Sequence, residues 1–260
     1  MKLQYENKVA LITGGVHGMG YATARLLVEG GARVALADIN SEGVERSARS
    51  LGSDNVAIGI GADISQADQV NNMVEVATRS LGPIDIFVNS AAVLDDKRFL
   101  ESGPVDWDRM FRVGLYGPML CLRAILPGMV ERGYGRVVCM ASDAGKVGQP
   151  AHSYYAASKG GVIALVKSIA QEVGFANVTV NAVAPGSVET PLRESRSQQL
   201  LAKIGQETFE RRERAIVKSH PLGRTGQPID VAGLVAFLVS DYASWITGQA
   251  YSVNGGAVMA

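Results

Sequence analysis

The chain has 260 residues, enough for one large α/β domain with a sizeable core or for two small ones. Apolar residues make up 47% and charged residues 19%, a balance that excludes a disordered chain. Lys plus Arg and Asp plus Glu each total 25, so zero net charge gives no electrostatic pull toward nucleic acid or an anionic membrane.

The N-terminal MKLQYENKVALIT has an apolar run too short for a signal-peptide core, and no apolar run approaches a membrane-spanning length. The two cysteines, Cys121 and Cys139, lie in apolar surroundings without CxxC spacing and read as buried, reduced thiols. The expected compartment is the cytoplasm.

Short apolar runs at 9–13, 33–37, 56–60, 84–88, 136–141, 178–183 and 250–253 read as strands. Most are continuous rather than alternating, as in a parallel sheet buried on both faces. The segments between them carry helical periodicity. Strands alternating with helices predict βαβ units in a doubly wound sheet. No Pro/Gly/Ser-rich linker divides the chain, so a single domain is expected.

The first strand runs into TGGVHGMG at 13–20, where Gly14, Gly18 and Gly20 follow a strand and open a helix. Glycine permits the tight turn and the close approach of backbone to a pyrophosphate. The helix N-terminus offers free N–H groups and a positive dipole end. The spacing is GxxxGxG rather than GxGxxG, and strand–turn–helix context carries the dinucleotide reading. His17 lies inside this loop and is a poor substitute for an Arg facing a phosphate.

The second strand ends at Asp38, 18 residues after Gly20. A carboxylate there accepts hydrogen bonds from ribose hydroxyls and repels a 2′-phosphate, which favours NAD over NADP. A turn-former or helix cap is the plainer alternative for Asp38-Ile39-Asn40-Ser41. Asn89 follows the fourth strand, where an open parallel sheet collects its ligands, or it simply satisfies loop backbone. Pro118 and Pro127 are expected to bend or interrupt the fourth helix.

Ser142 follows the fifth strand at the same edge, placed to hydrogen-bond a substrate oxygen, or else to serve as a cap. Tyr155 and Lys159 are four apart and share one helix face. A nearby ammonium would favour the phenolate, making Tyr155 an acid/base for an alcohol or carbonyl. Asp143, Gln149 and His152, between Ser142 and Tyr155, are candidate substrate contacts and hint at a polyol or sugar-like alcohol. The segment 191–220 reads as a polar insertion, with seven basic and four acidic residues between Arg193 and Lys218. It admits an anionic substrate, though a solvated helical face is the preferred reading. The three histidines are scattered without HExxH spacing, so no metal site is expected. GxSxG and P-loop patterns are absent.

These residues together resemble the short-chain dehydrogenase/reductase family in its single-domain branch. The likeness covers essentially the whole chain: TGGVHGMG, Asp38, Asp63, NSAA at 89–92, Ser142, Tyr155, Lys159, NAVAPGSVET at 181–190, PLGRTGQP at 221–228 and TGQAYSVNGG at 247–256. It implies a seven-stranded Rossmann-like sheet, interconversion of a secondary alcohol and a ketone with NAD, and a homotetramer. An NADP-linked carbonyl reductase of 3-oxoacyl type is the near alternative, and a non-catalytic NAD sensor the distant one. By the same resemblance Gly14, His17, Gly18, Met19, Gly20, Asp38 and Ile39 meet the cofactor. Asp63 and Ile64 flank its adenine, and Asn89 and Ala91 support the cleft. Pro185, Gly186, Val188 and Thr190 line the nicotinamide and diphosphate side. Tyr155 is the acid/base, Lys159 holds the nicotinamide ribose, and Ser142 orients the substrate.

The chain departs from the family pattern twice. NSAA replaces the usual NNAG, a change conservative in size. Gly114 stands where the family places an Asn that helps hold a relay water next to the lysine. Either a water fills the vacated space, another side chain completes the relay, or catalysis is lost.

Overall fold

The computed structural model describes residues 3–260. Seven parallel strands form one sheet in the order β3-β2-β1-β4-β5-β6-β7. They are β1 Val9–Thr13, β2 Arg33–Asp38, β3 Ala57–Gly61, β4 Ile86–Asn89, β5 Gly135–Met140, β6 Val178–Pro185 and β7 Ala250–Val253. Every β1, β4, β5 and β6 residue is buried, which explains why those runs read as continuous.

Within each strand, alternate side chains enter different cores. Val9 and Leu11 join Phe87 on one face, packed by helices α3 (Ala67–Leu81), α5 (Gly117–Arg132) and α7 (Ser153–Val173). Ala10 and Ile12 join Leu36 on the other, under α1 (Gly18–Glu29), α2 (Ser41–Leu51) and α10 (Pro228–Leu238). This is the doubly wound α/β arrangement, a single Rossmann-like domain. The strand order reverses between β1 and β4, where Thr13 pairs with Ala37 on one side and Asn89 on the other. The crevice at that reversal is where such sheets bind ligands.

Two expectations change. Helix α4 (Pro104–Phe111), a π-helical turn over Arg112–Tyr116 and α5 form one rod over Pro104–Arg132. By length and composition that rod is apolar enough to cross a membrane, contrary to the sequence reading. Here it packs on the sheet through Cys121, Leu122, Ile125 and Met129. Pro118 and Pro127 do not break it. Pro118 directly follows the π turn, where the regular i→i−4 ladder is already interrupted, and Pro127 is carried inside α5. The segment after Thr190 is two helices, α8 (Pro191–Ile204) and α9 (Gln206–Ser219), joined at Gly205.

Candidate active site

The glycine loop is built for close backbone contact. Gly14 has φ +68°, and a Cβ there would lie 2.7 Å from the backbone of Ser90 and Ala91. A Cβ on Gly20 would lie 2.2 Å from the Gly14 carbonyl, and one on Gly18 3.3 Å from Thr190 Cγ2. The ends of β1, β4 and β6 are thereby drawn together, and α1 opens at His17, whose exposed side chain makes no cap bond. Met19, Pro185, Gly186, Val188 and Thr190 border the same cleft of about 450 Å³.

Asp38, at the end of β2, accepts from Val16 N at 3.4 Å and Asn40 N at 3.1 Å, which holds its carboxylate at the loop. Ile39 beside it is exposed. Asp63 Oδ1 caps its own turn through Ser65 N at 2.9 Å. Ile64 is turned into the core, and a Cβ on Gly117 would lie 2.9 Å from its Cδ1. Its side chain is therefore committed to packing, and only its backbone is left to face an adenine. Asn89 is fully buried, and its Nδ2 has no partner among the described residues. An unpaired buried donor costs about 1–3 kcal/mol. That orphan donor and the glycine cradle fit a dinucleotide.

Deeper in the cleft lie Ser142, Tyr155 and Lys159. Ser142 follows β5, and its Oγ accepts from Ala144 N at 3.2 Å. Lys159 is 1% exposed, and its ammonium donates to the Met140 carbonyl at the end of β5 at 2.8 Å. Burial lowers its pKa to about 8. Its Nζ is 5.9 Å from the Tyr155 ring centre. Tyr155 does not follow the sequence expectation. Burial raises the phenol above its ordinary value, and a hydrogen bond with Ser142 and the Arg196 charge offset only part of that. Desolvation of a phenolate outweighs the ammonium, whose nearest partner is a carbonyl instead.

The three proposed substrate contacts all border the cleft. His152 meets Tyr155 edge-on at 5.9 Å between ring centres, and Gln149 Oε1 is 3.1 Å from His152 Nδ1. Asp143 borders the cleft as well, and its Oδ2 accepts from Asn254 Nδ2, in the chain after β7, at 2.7 Å. Burial raises its pKa, and hydrogen bonds from Asn254 and Ser252 counter this only in part.

Two residues that sequence reasoning did not single out line the same cleft, Asp96 and Arg196. Arg196 was grouped with a solvated face, yet both it and Arg193 turn inward onto acidic partners. Spacing alone could not pair residues 100 positions apart. Gly114 leaves no void. A Cβ there would lie 2.9 Å from Ser158 Oγ, so the Ser158 side chain occupies the space. Among the described residues no three His, Cys, Asp or Glu side chains gather as a metal site.

A sequence-family model described as enoyl-(acyl carrier protein) reductase matches residues 14–258. A 3-oxoacyl-[acyl-carrier-protein] reductase, FabG, of Thermotoga maritima is 34% identical over 258 residues, covering 99% of this chain and 100% of the relative. The chain belongs to the short-chain dehydrogenase/reductase family. It is an oxidoreductase of that family, whose chemistry acts on CH–OH and carbonyl groups with a nicotinamide cofactor. A second family relative, 2-(S)-hydroxypropyl-CoM dehydrogenase 3 of Xanthobacter autotrophicus, is 36% identical over 257 residues, with 98% of each chain covered. Two solved family structures share the fold with TM-score 0.90. A glucose/ribitol dehydrogenase from Brucella melitensis is 33% identical over 100% of both chains. A levodione reductase is 34% identical, covering 97% of this chain and 98% of its own.

Proposed function

We propose that this short-chain dehydrogenase/reductase interconverts a secondary alcohol and a ketone with NAD, using Tyr155 as the proton donor and acceptor. The observation that carries this reading is Ser142, Tyr155 and Lys159 lining one cleft, with the Lys159 ammonium buried and anchored on the Met140 carbonyl. A bound nicotinamide accepts or supplies the hydride. In reduction, Tyr155 gives its phenolic proton to the substrate oxygen while Ser142 donates a hydrogen bond to that oxygen as charge grows on it. In oxidation the phenolate takes the alcohol proton back. Lys159, while protonated, supplies a positive charge beside the Tyr155 ring that favours the phenolate in that half of the cycle. Ser158 fills the space beside Gly114 and fixes the turn below Tyr155, donating to its carbonyl at 2.8 Å.

NAD rather than NADP follows from Asp38, with no Arg or Lys in the run Ile39-Asn40-Ser41 to balance a 2′-phosphate. The 3-oxoacyl activity in the name of the Thermotoga relative is the second reading for the substrate. We read the protein as cytoplasmic, which agrees with two buried thiols that burial pushes up to about 12 and that form no disulfide. We read it as a homotetramer. Exposed Val105, Tyr116 and Met119 on the 104–132 rod, and Tyr242, Trp245 and Tyr251 near β7, support this reading, and light scattering tests it.

The test of function is reduced-cofactor formation with NAD and NADP separately, against polyols, sugars, cyclic alcohols and hydroxy acids. Turnover with NAD that Tyr155→Phe lowers by about 10²–10⁴ supports the reading. Turnover untouched by Tyr155→Phe overturns the role of Tyr155.

A further inference from the structure

The proton-transfer scheme leaves one charged cluster in the cleft unused. Arg196 on α8, Asp96 after β4 and His152 ahead of α7 all border the cavity. Arg196 donates through Nε to Asp96 Oδ2 at 3.0 Å, and through Nη2 to Oδ1 at 2.6 Å and Oδ2 at 2.7 Å. His152 Nε2 lies 2.9 Å from Asp96 Oδ1 and 3.1 Å from Arg196 Nη2. Burial alone would raise Asp96, yet the hydrogen bonds and charges of His152 and Arg196 hold its carboxyl well below the usual range. The carboxylate is therefore ionised, and it cancels the charge of Arg196.

A guanidinium presents five N–H groups in a rigid fork. Asp96 occupies Nε and Nη2. Nη1 has no protein partner among the described residues, and it is not sealed away from solvent. The fork is held in place by its pairing, so a further hydrogen bond costs little side-chain entropy. The position is close to the chemistry, because the Arg196 charge acts on the Tyr155 phenol and His152 meets the Tyr155 ring.

We propose that Arg196 Nη1 binds a second, uncharged oxygen of the substrate, a hydroxyl or carbonyl, while Asp96 and His152 hold the guanidinium. This rests on the alcohol–ketone reading given above and narrows it. With its charge cancelled, Arg196 offers a directed donor without net attraction for an anion. A substrate carboxylate at the same place would meet Asp96 as a like charge.

The test compares kcat and KM for 1,2- and 1,3-diols, the matching monoalcohols and 3-hydroxybutyrate. The enzymes are the wild type, Arg196→Met and Asp96→Asn. The wild type should favour a diol over its monoalcohol, and Arg196→Met should lower that preference by about tenfold or more, mainly through KM. The diol-to-monoalcohol ratio cancels any effect on Tyr155, which both substrates share. Asp96→Asn uncovers the Arg196 charge and should lower KM for 3-hydroxybutyrate, a gain that misfolding cannot produce. Equal losses on diol and monoalcohol, or no gain for the hydroxy acid in Asp96→Asn, overturn the proposal and leave the cluster a strap between α8 and the chain after β4. A wild type that oxidises monoalcohols as well as diols overturns it while the alcohol–ketone reading stands. A wild type inactive on every alcohol and ketone with either cofactor overturns both.

Discussion

Thr13 and Asn89 face each other across β1 and β4, and Thr13 Oγ1 donates to Asn89 Oδ1 at 2.9 Å. That single bond turns the amide so that Nδ2 remains a buried donor without a protein partner. Thr13→Val should leave the Asn89 oxygen unsatisfied as well, at about 1–3 kcal/mol. We expect a lower melting temperature, by a few degrees at roughly 2–4 °C per kcal/mol. NAD affinity should also weaken as the amide loses its aim. Calorimetric melting and NAD titration check both, and an unchanged Kd would remove Asn89 from the cofactor site.

Asp38 provides the cofactor test. Asp38→Ser removes the negative charge facing a 2′-phosphate while keeping a group that can bond the main chain. The NADP-to-NAD ratio of kcat/KM should rise by about tenfold or more, equivalent to ~1.4 kcal/mol. A wild type that already prefers NADP would reverse the assignment.

Gly114 and Ser158 should be energetically coupled. Gly114→Asn brings a Cβ to 2.9 Å from Ser158 Oγ, and crowding of this kind costs about 1–3 kcal/mol. Removing a helical glycine returns only about 0.5–1 kcal/mol. Gly114→Asn alone should therefore lower stability, and adding Ser158→Ala should recover part of the loss, a non-additive pair. Turnover of Gly114→Asn should stay within about tenfold of wild type, a barrier change of ~1.4 kcal/mol.

The pH dependence of the chemistry follows from Tyr155. Tyr155 is raised above its ordinary value, so the phenol is protonated at neutral pH and ready to donate. Carbonyl reduction should hold a plateau through neutral pH and fall on the alkaline side, while alcohol oxidation climbs with pH. A reduction rate already falling between pH 6 and about 7 would contradict the raised phenol.

Lys159 affects stability in the opposite sense from a paired lysine. Its folded value of about 8 lies below the ordinary 10.5, so the unfolded chain binds the extra proton between them. The burial penalty is fully present below pH 8 and lifts as pH rises toward 10.5. Relative to Lys159→Met, wild-type stability should improve across that window by up to ~3 kcal/mol, at about 1.36 kcal/mol per unit. Denaturant melts at pH 7 and pH 10 measure it, and a difference independent of pH would mean that Lys159 is not strained by burial.

The sequence by itself determined the doubly wound sheet. Its strands are buried on both faces, and that burial writes itself into continuous apolar runs. The places of the glycine loop, Ser142, Tyr155 and Lys159 in the fold were equally legible, because strand ends and helix spacing are local properties. Only the tertiary structure decided the rest. Whether burial or the ammonium sets Tyr155 depends on desolvation, which no spacing encodes. Asp143 borders the cleft yet bonds Asn254, and Ile64 packs against Gly117, since the direction of a side chain is fixed by partners distant in sequence. Arg196 looked like part of a solvated face, yet it pairs with Asp96 across 100 residues, because α8 borders the cleft through packing that a single chain pattern does not contain.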